Sequence, residues 1–269
     1  MFANAKNGCL QWDGVCMDYI RFGTGARTLV ILPGLGDGLQ TVKGTALPMA
    51  WMYRIFAKEF TVYMFSRCAP LAPGATTRDM ARDLKRAMED LGIHRADVLG
   101  VSMGGMIAQH LAADYPEKVN KLILTVTSAE SNPILEESVK EWMGFARAGD
   151  HRALMDSNLR KIYSADYCRK NGWMVPILGK VTKPASYERF LIQAEACLTH
   201  SAVAQLGKIQ SPTLVIGGAQ DLALGVEASC YLAEGIPGAK LKIYRQWGHG
   251  LYEEAKDFNQ VVLAFLKEA

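Results

Sequence analysis

Short runs of apolar and β-branched residues alternate with longer stretches of helical periodicity along most of this chain. The runs are Thr28–Leu32, Phe60–Phe65, Ala96–Val101, Lys121–Val126, Thr213–Ile216 and Leu241–Tyr244. Continuous apolar runs of four to eight residues fit strands buried on both faces, which is how a parallel sheet covered by helices reads. Between them Met80, Leu84, Met88 and Leu91 repeat at helical spacing before Gly92, and Met103 to Tyr115 predicts a second helix stopped by Pro116. Phe258, Val261, Val262, Phe265 and Leu266 form a stripe at i, i+3, i+4, i+7 and i+8, predicting an amphipathic C-terminal helix. The predicted fold is α/β, with a mainly parallel, doubly wound sheet.

The alternation fails between about 130 and 205. That stretch has no convincing buried strand, yet it carries Trp142, Met143, Phe145, Leu154, Trp173, Met174, Phe190 and Leu191 in helical settings. It reads as a helical insertion, leaving 1–129 and 206–269 as the core.

Composition narrows the function classes. The 269 residues are 49% hydrophobic and 21% charged with a net charge of +3, an ordinary globular balance too mild to imply nucleic acid. Arg78, Arg82, Lys85 and Arg86 come nearest to a basic run, but Asp79, Asp83, Glu89 and Asp90 interleave with them, as on a solvated helix face. The six cysteines include no CxxC pair and no histidine partners at metal-ligand spacing, so they read as free thiols, and neither metal nor cofactor is implied. The first residues lack the apolar core of a signal peptide, and the apolar tract around 98–113 is too short for a bilayer. A cytoplasmic enzyme acting on a small molecule is the expectation. Oligomeric state is left open.

The chemistry centres on Gly100-Val-Ser-Met-Gly104, a G-x-S-x-G pattern. Average Gly and Ser usage supplies that pattern in roughly one chain of this length in ten, so its setting carries the weight. It lies where an apolar strand ends and a helix begins, the place a nucleophile elbow requires. Ser102 at such a tip needs strained backbone, and Gly100 and Gly104 leave room for the turn. A hydroxyl needs a base, and His249, in the loop before the C-terminal helix, is best placed among His94, His110, His151, His200 and His249. An orienting carboxylate follows as Asp221, directly after the Thr213–Ile216 strand, which gives the chain order Ser, Asp, His. Glu130 is the rival acid. Backbone N–H groups of Met103 and of Leu35, in Leu32-Pro-Gly-Leu-Gly-Asp-Gly38, are the candidate oxyanion donors. That glycine-rich loop lacks the spacing of a nucleotide-phosphate site.

With these pieces in view, the sequence resembles the α/β-hydrolase superfamily, in its serine esterase and lactonase-like branch. The resemblance rests on Leu32-Pro-Gly-Leu-Gly36, Leu99-Gly-Val-Ser-Met-Gly-Gly105, Asp114-Tyr-Pro-Glu-Lys-Val119, Pro212-Thr-Leu-Val-Ile-Gly-Gly-Ala-Gln-Asp221 and Trp247-Gly-His-Gly250. It implies that the insertion is a helical cap placed after the sixth strand of the fold, and it implies hydrolysis through an acyl-enzyme. Many relatives begin the oxyanion loop with His-Gly, where this chain has Pro33-Gly34, a change that bears on loop shape more than on reaction. Ser102 argues against the relatives that use an aspartate nucleophile.

The main expectation is a carboxylic ester or lactone of small to medium size and partly apolar character. The alternatives are carbon–carbon bond hydrolysis, acyl transfer on the same triad, or a non-catalytic binding protein of the same fold. Trp51, Met52, Trp142, Phe145 and Trp173 are candidates to line the pocket, although plain packing also accounts for them. Arg147, Arg152 and Arg160 are candidates to hold a substrate carboxylate, and exposed solubilising charge fits them equally.

Overall fold

The computed structural model describes residues 4–268. It opens with a hairpin of β1 (Lys6–Trp12) and β2 (Val15–Phe22), joined at Asp13 and Gly14 with φ of 33° and 84°. Two successive left-handed residues match the right-handed twist of the flanking strands, so the turn closes without splaying them. Next come β3 (Arg27–Leu32), α1 (Ala46–Met52), β4 (Phe60–Phe65), α2 (Thr77–Asp90), β5 (Ala96–Val101), α3 (Met103–Asp114) and β6 (Val119–Thr125). The sheet order is β1-β2-β4-β3-β5-β6, continued by β7 (Thr213–Gly218) and β8 (Lys240–Tyr244). From β4 to β8 every neighbouring pair is parallel, while β2 runs antiparallel to both β1 and β4.

Side chains alternate across the sheet and feed two cores. Val30 and Leu32 of β3 point to one, with Met80 and Leu84 of α2 and Met106 and Leu111 of α3. Leu29 and Ile31 point to the other, against Ala46 and Ala50 of α1. The C-terminal helix, α12 (Phe258–Lys267), joins that second core through Phe258, Val262, Phe265 and Leu266, most of the stripe read from the sequence. A period of two in the strands meeting a period near 3.6 in the helices is what covers both faces.

The described residues between β6 and β7 form helices: α4 (Pro133–Arg147), α5 (His151–Ile162), α6 (Ala165–Asn171), α7 (Val175–Val181), α8 (Glu188–Leu198) and the short α9 (Val203–Leu206). The two ends of this segment lie side by side. Ala202 N–H donates to the Ala129 carbonyl at 2.7 Å, and Glu130 bridges to Ser201. α10 (Val226–Gly235) links β7 to β8, and α11 (Leu251–Glu254) precedes α12. No helix among the described residues is long and apolar enough to cross a membrane.

Candidate active site

β5 ends at Val101 and α3 starts at Met103, so Ser102 carries the whole change of direction. Its backbone sits at φ 53°, ψ −122°, a region that costs a residue bearing a side chain about 1–3 kcal/mol. The glycines on either side explain how the turn fits. A Cβ on Gly104 would lie 2.1 Å from the Leu32 carbonyl oxygen, and one on Gly100 would lie 2.6 Å from the Gly104 carbonyl oxygen. Ser102 N–H donates to the Thr125 carbonyl at 2.9 Å, and Thr127 Oγ1 donates to the Ser102 carbonyl at 2.7 Å, tying the elbow to β6 and the loop beyond it.

Asp221 and His249 come from the loops after β7 and β8. His249 Nδ1 and Asp221 Oδ2 are 2.8 Å apart, and both residues are buried. The other carboxylate oxygen, Oδ1, accepts the Ala223 and Leu224 N–H groups at 2.8 and 3.0 Å. Two backbone donors therefore fix which oxygen is left for the imidazole. Glu130, the rival acid, is exposed, with its backbone engaged by Ser128 and Ser201. Asp221 is the carboxylate that meets the imidazole.

Ser102 and His249 share a cavity of about 510 Å³. The loop from Pro33 to Asp37 forms one wall, and Gly34 lies so close that a Cβ there would be 3.3 Å from Ser102 Cβ. Leu35 begins a short 3₁₀ turn (Leu35–Gly38) and Met103 begins α3, positions whose N–H groups have no acceptor within their own helices. Donors placed this way are free to meet an oxyanion.

The remaining walls correct part of the sequence reading. Met52 and Trp142 line the cavity, and Trp142 Nε1 donates to Ser157 Oγ at 3.1 Å. Trp51 does not: it is 60% exposed and stacks under the Arg54 guanidinium at 4.8 Å. Trp173 is 68% exposed in a 3₁₀ turn, and Phe145 packs against the core instead. Arg147, Arg152 and Arg160 are exposed and lie away from the cavity; Arg160 pairs with Asp156. The wall residues missed by sequence reasoning include Met49, Asn158, Ile162, Tyr163, Tyr252 and Glu253. Tyr163 donates from its hydroxyl to Glu253 Oε2 at 2.8 Å. Asp37 and Glu253 are the carboxylates of the wall, and among the described residues no lysine or arginine lines it.

Strand order, the elbow after β5 and the two return loops define one class of protein. The alpha/beta hydrolase fold family matches residues 27–256, and the chain belongs to it. Among its relatives is 2-hydroxy-6-oxononadienedioate/2-hydroxy-6-oxononatrienedioate hydrolase 2 of Pseudomonas putida. It is 27% identical over 284 residues, covering 99% of this chain and 96% of that one. A 2-hydroxy-6-oxo-6-phenylhexa-2,4-dienoate hydrolase of Comamonas testosteroni is 28% identical, over 70% of this chain and 68% of its own. In fold the chain is similar to the enol-lactonase from Burkholderia xenovorans LB400, with a TM-score of 0.82, 24% identity and coverage of 97% and 100%.

Proposed function

We propose that this chain is a serine hydrolase in which Ser102, His249 and Asp221 cleave a carbon–carbon bond beside a ketone in a small, unsaturated, enol-bearing acid. The carrying observation is the buried Asp221–His249 pair opening with Ser102 onto one cavity. The choice of bond is supported by relatives aligned along nearly the whole chain, whose names are those of 2-hydroxy-6-oxononadienedioate/2-hydroxy-6-oxononatrienedioate hydrolases. This shifts the reading from a simple ester to what the sequence held as its alternative.

The chemistry is common to both bonds. Ser102 Oγ adds to the carbonyl carbon as His249 takes its proton, and the Leu35 and Met103 N–H groups hold the oxyanion. Once the 2-hydroxydiene has tautomerised to its 2-keto-3-ene form, which moves the hydroxyl proton to the carbon beside the 6-ketone, collapse breaks the carbon–carbon bond. Its electron pair moves through the enone to the 2-keto oxygen, which takes the proton from His249. Water then adds to the acyl-enzyme, again through His249, and releases a carboxylic acid. Only a substrate whose departing carbon is stabilised by conjugation can follow this route, which fits a 2-hydroxy-6-oxo-diene. The helices between β6 and β7 act as a cap, contributing Trp142 and Asn158 to the wall.

The ester or lactone reading stands second because the triad and cavity alone support it, and they serve either bond.

The test is turnover of 2-hydroxy-6-oxo-6-phenylhexa-2,4-dienoate, the corresponding dienedioate, a neutral enol lactone and p-nitrophenyl butyrate, with Ser102→Ala as blank. The reading expects one of the two 2-hydroxy-6-oxo substrates to have the highest kcat/KM and the Ser102→Ala protein to be inactive. A preference for the lactone or ester by tenfold or more would replace the first reading with the second, and Ser102→Ala activity equal to wild type would end both.

A further inference from the structure

Behind the loop facing Ser102 lies a buried cluster of charges that the reaction does not touch. Asp37, in the 3₁₀ turn of that loop, and Arg67, just beyond β4, are each 4% exposed. Arg67 Nη2 donates to the Pro33 carbonyl at 2.5 Å, and Arg67 N–H donates to Asp37 Oδ2 at 3.1 Å. Arg189 reaches the same place from α8, in the segment between β6 and β7. Its guanidinium donates to the Asp37 carbonyl, to Asp37 Oδ2 and, at 3.1 Å, to the Arg67 carbonyl. Gln193, one turn further along α8, approaches Asp37 Oδ2 at 3.4 Å.

Both carbonyls that bracket the Gly34–Gly36 run, at Pro33 and Asp37, are thus gripped by guanidinium groups from distant parts of the chain. A glycine-containing run needs such a grip, because its own backbone restrains it little. Stability alone is a poor explanation for the cluster. Two arginines face one carboxylate, and burial pulls the Arg67 guanidinium below its ordinary pKa. Arg67 Nε and Arg189 Nε have no protein acceptor among the described residues. Replacing buried ion pairs by apolar side chains of similar volume is often neutral or stabilising. Neither guanidinium lines the cavity, so neither is placed to touch substrate.

We propose that Arg67 and Arg189 are positioning residues that clamp the oxyanion loop, and that Arg189 couples docking of the inserted helices to the alignment of the Leu35 N–H over Ser102. The clamp rests on the serine-hydrolase reading given above. With Arg189 withdrawn, the Asp37 carbonyl loses its guanidinium donor and Asp37 Oδ2 keeps only Arg67 and Gln193, so the loop loosens at that end and the donor moves away from the developing negative charge. The loss falls on the transition state and leaves ground-state binding nearly intact.

The experiment compares wild type, Arg189→Met and Arg189→Lys as full chains. It reads Tm, kcat and KM for p-nitrophenyl butyrate, and the rate of inactivation by a fluorophosphonate, whose phosphoryl oxygen must enter the same hole. For Arg189→Met, well below its Tm, kcat should fall on the order of 10- to 100-fold with KM within about twofold. Inactivation should slow by a similar factor. Arg189→Lys, which keeps the charge on Asp37 but loses the forked donor, should fall in between, and it carries the test if the methionine variant does not fold. A lowered Tm with wild-type kcat and inactivation rate would make the cluster a structural strut and overturn the clamp. A raised KM with unchanged kcat would make Arg189 a substrate contact, which overturns it too. Failure of the wild type to react with the fluorophosphonate would instead bring down the serine-hydrolase reading beneath it.

Discussion

Replacing Asp221 by Asn isolates what the carboxylate does for His249. Asp221 Oδ1 accepts two backbone N–H groups, at 2.8 and 3.0 Å, and Oδ2 faces His249 Nδ1 at 2.8 Å. An asparagine in the same rotamer must keep its oxygen on the two N–H donors, since turning its amide would set donor against donor. Its NH2 then points at Nδ1 and forces that nitrogen to be the acceptor. The ring proton moves to Nε2, the nitrogen that must take the proton of Ser102. The site keeps its shape but holds the wrong tautomer. The same substitution in the serine-protease triad lowers kcat about 10⁴-fold, and the geometry here predicts a loss of that order, about 5 kcal/mol of barrier. Because the backbone bonds survive, Tm should move by no more than a few degrees. Steady-state hydrolysis of p-nitrophenyl butyrate at pH 7–8, with calorimetric melting alongside, measures both. A loss of less than tenfold would refute the tautomer argument, and a fall in Tm large enough to unfold the protein at assay temperature would move the effect from chemistry to stability.

Two further outcomes follow from buried groups. His200 is buried, with Thr77 Oγ1 at 2.8 Å from its Nδ1 and the His110 ring at 5.2 Å, and burial chiefly, then His110, pushes its pKa from 6.5 down to about 3. The neutral form is the one that folds well, so its stability is complete above pH 6.5 and is lost as pH falls toward 3; between pH 7 and 5 this group alone should cost about 2 kcal/mol. His200→Gln should flatten the dependence of Tm on pH in that window, and an unchanged slope would contradict the assignment. At the elbow, Gly104→Ala should give a protein that is poorly folded or lacks esterase activity, because its Cβ would meet the Leu32 carbonyl oxygen at 2.1 Å. Near-normal melting and turnover would show that the elbow yields more easily than its contacts indicate.

What was legible in the sequence divides along physical lines. Buried strands and amphipathic helices announce themselves through period, and an elbow through local steric demand. Ser102 sits directly after β5, Asp221 and His249 lie in the loops that follow β7 and β8, and the parallel sheet brings those strand ends to one edge. The N-terminal hairpin was missed because half-buried edge strands alternate weakly; Trp12-Asp13-Gly14-Val15 was its one strong local signal. The aromatic lining was only partly legible. Which face of α1 turns inward is set by Ala46 and Ala50 packing beneath it, and that leaves Met49 and Met52 at the cavity and Trp51 outside. Arg189 gave no signal at all, since its meaning depends on Asp37, 152 positions away in sequence.

The most direct test of the central claim is mass analysis of the intact protein after a fluorophosphonate, followed by peptide mapping. The account predicts one phosphonyl group per chain, carried on Ser102 and absent from Ser102→Ala. No adduct on a folded wild-type protein, or an adduct on another residue that persists in Ser102→Ala, would contradict it.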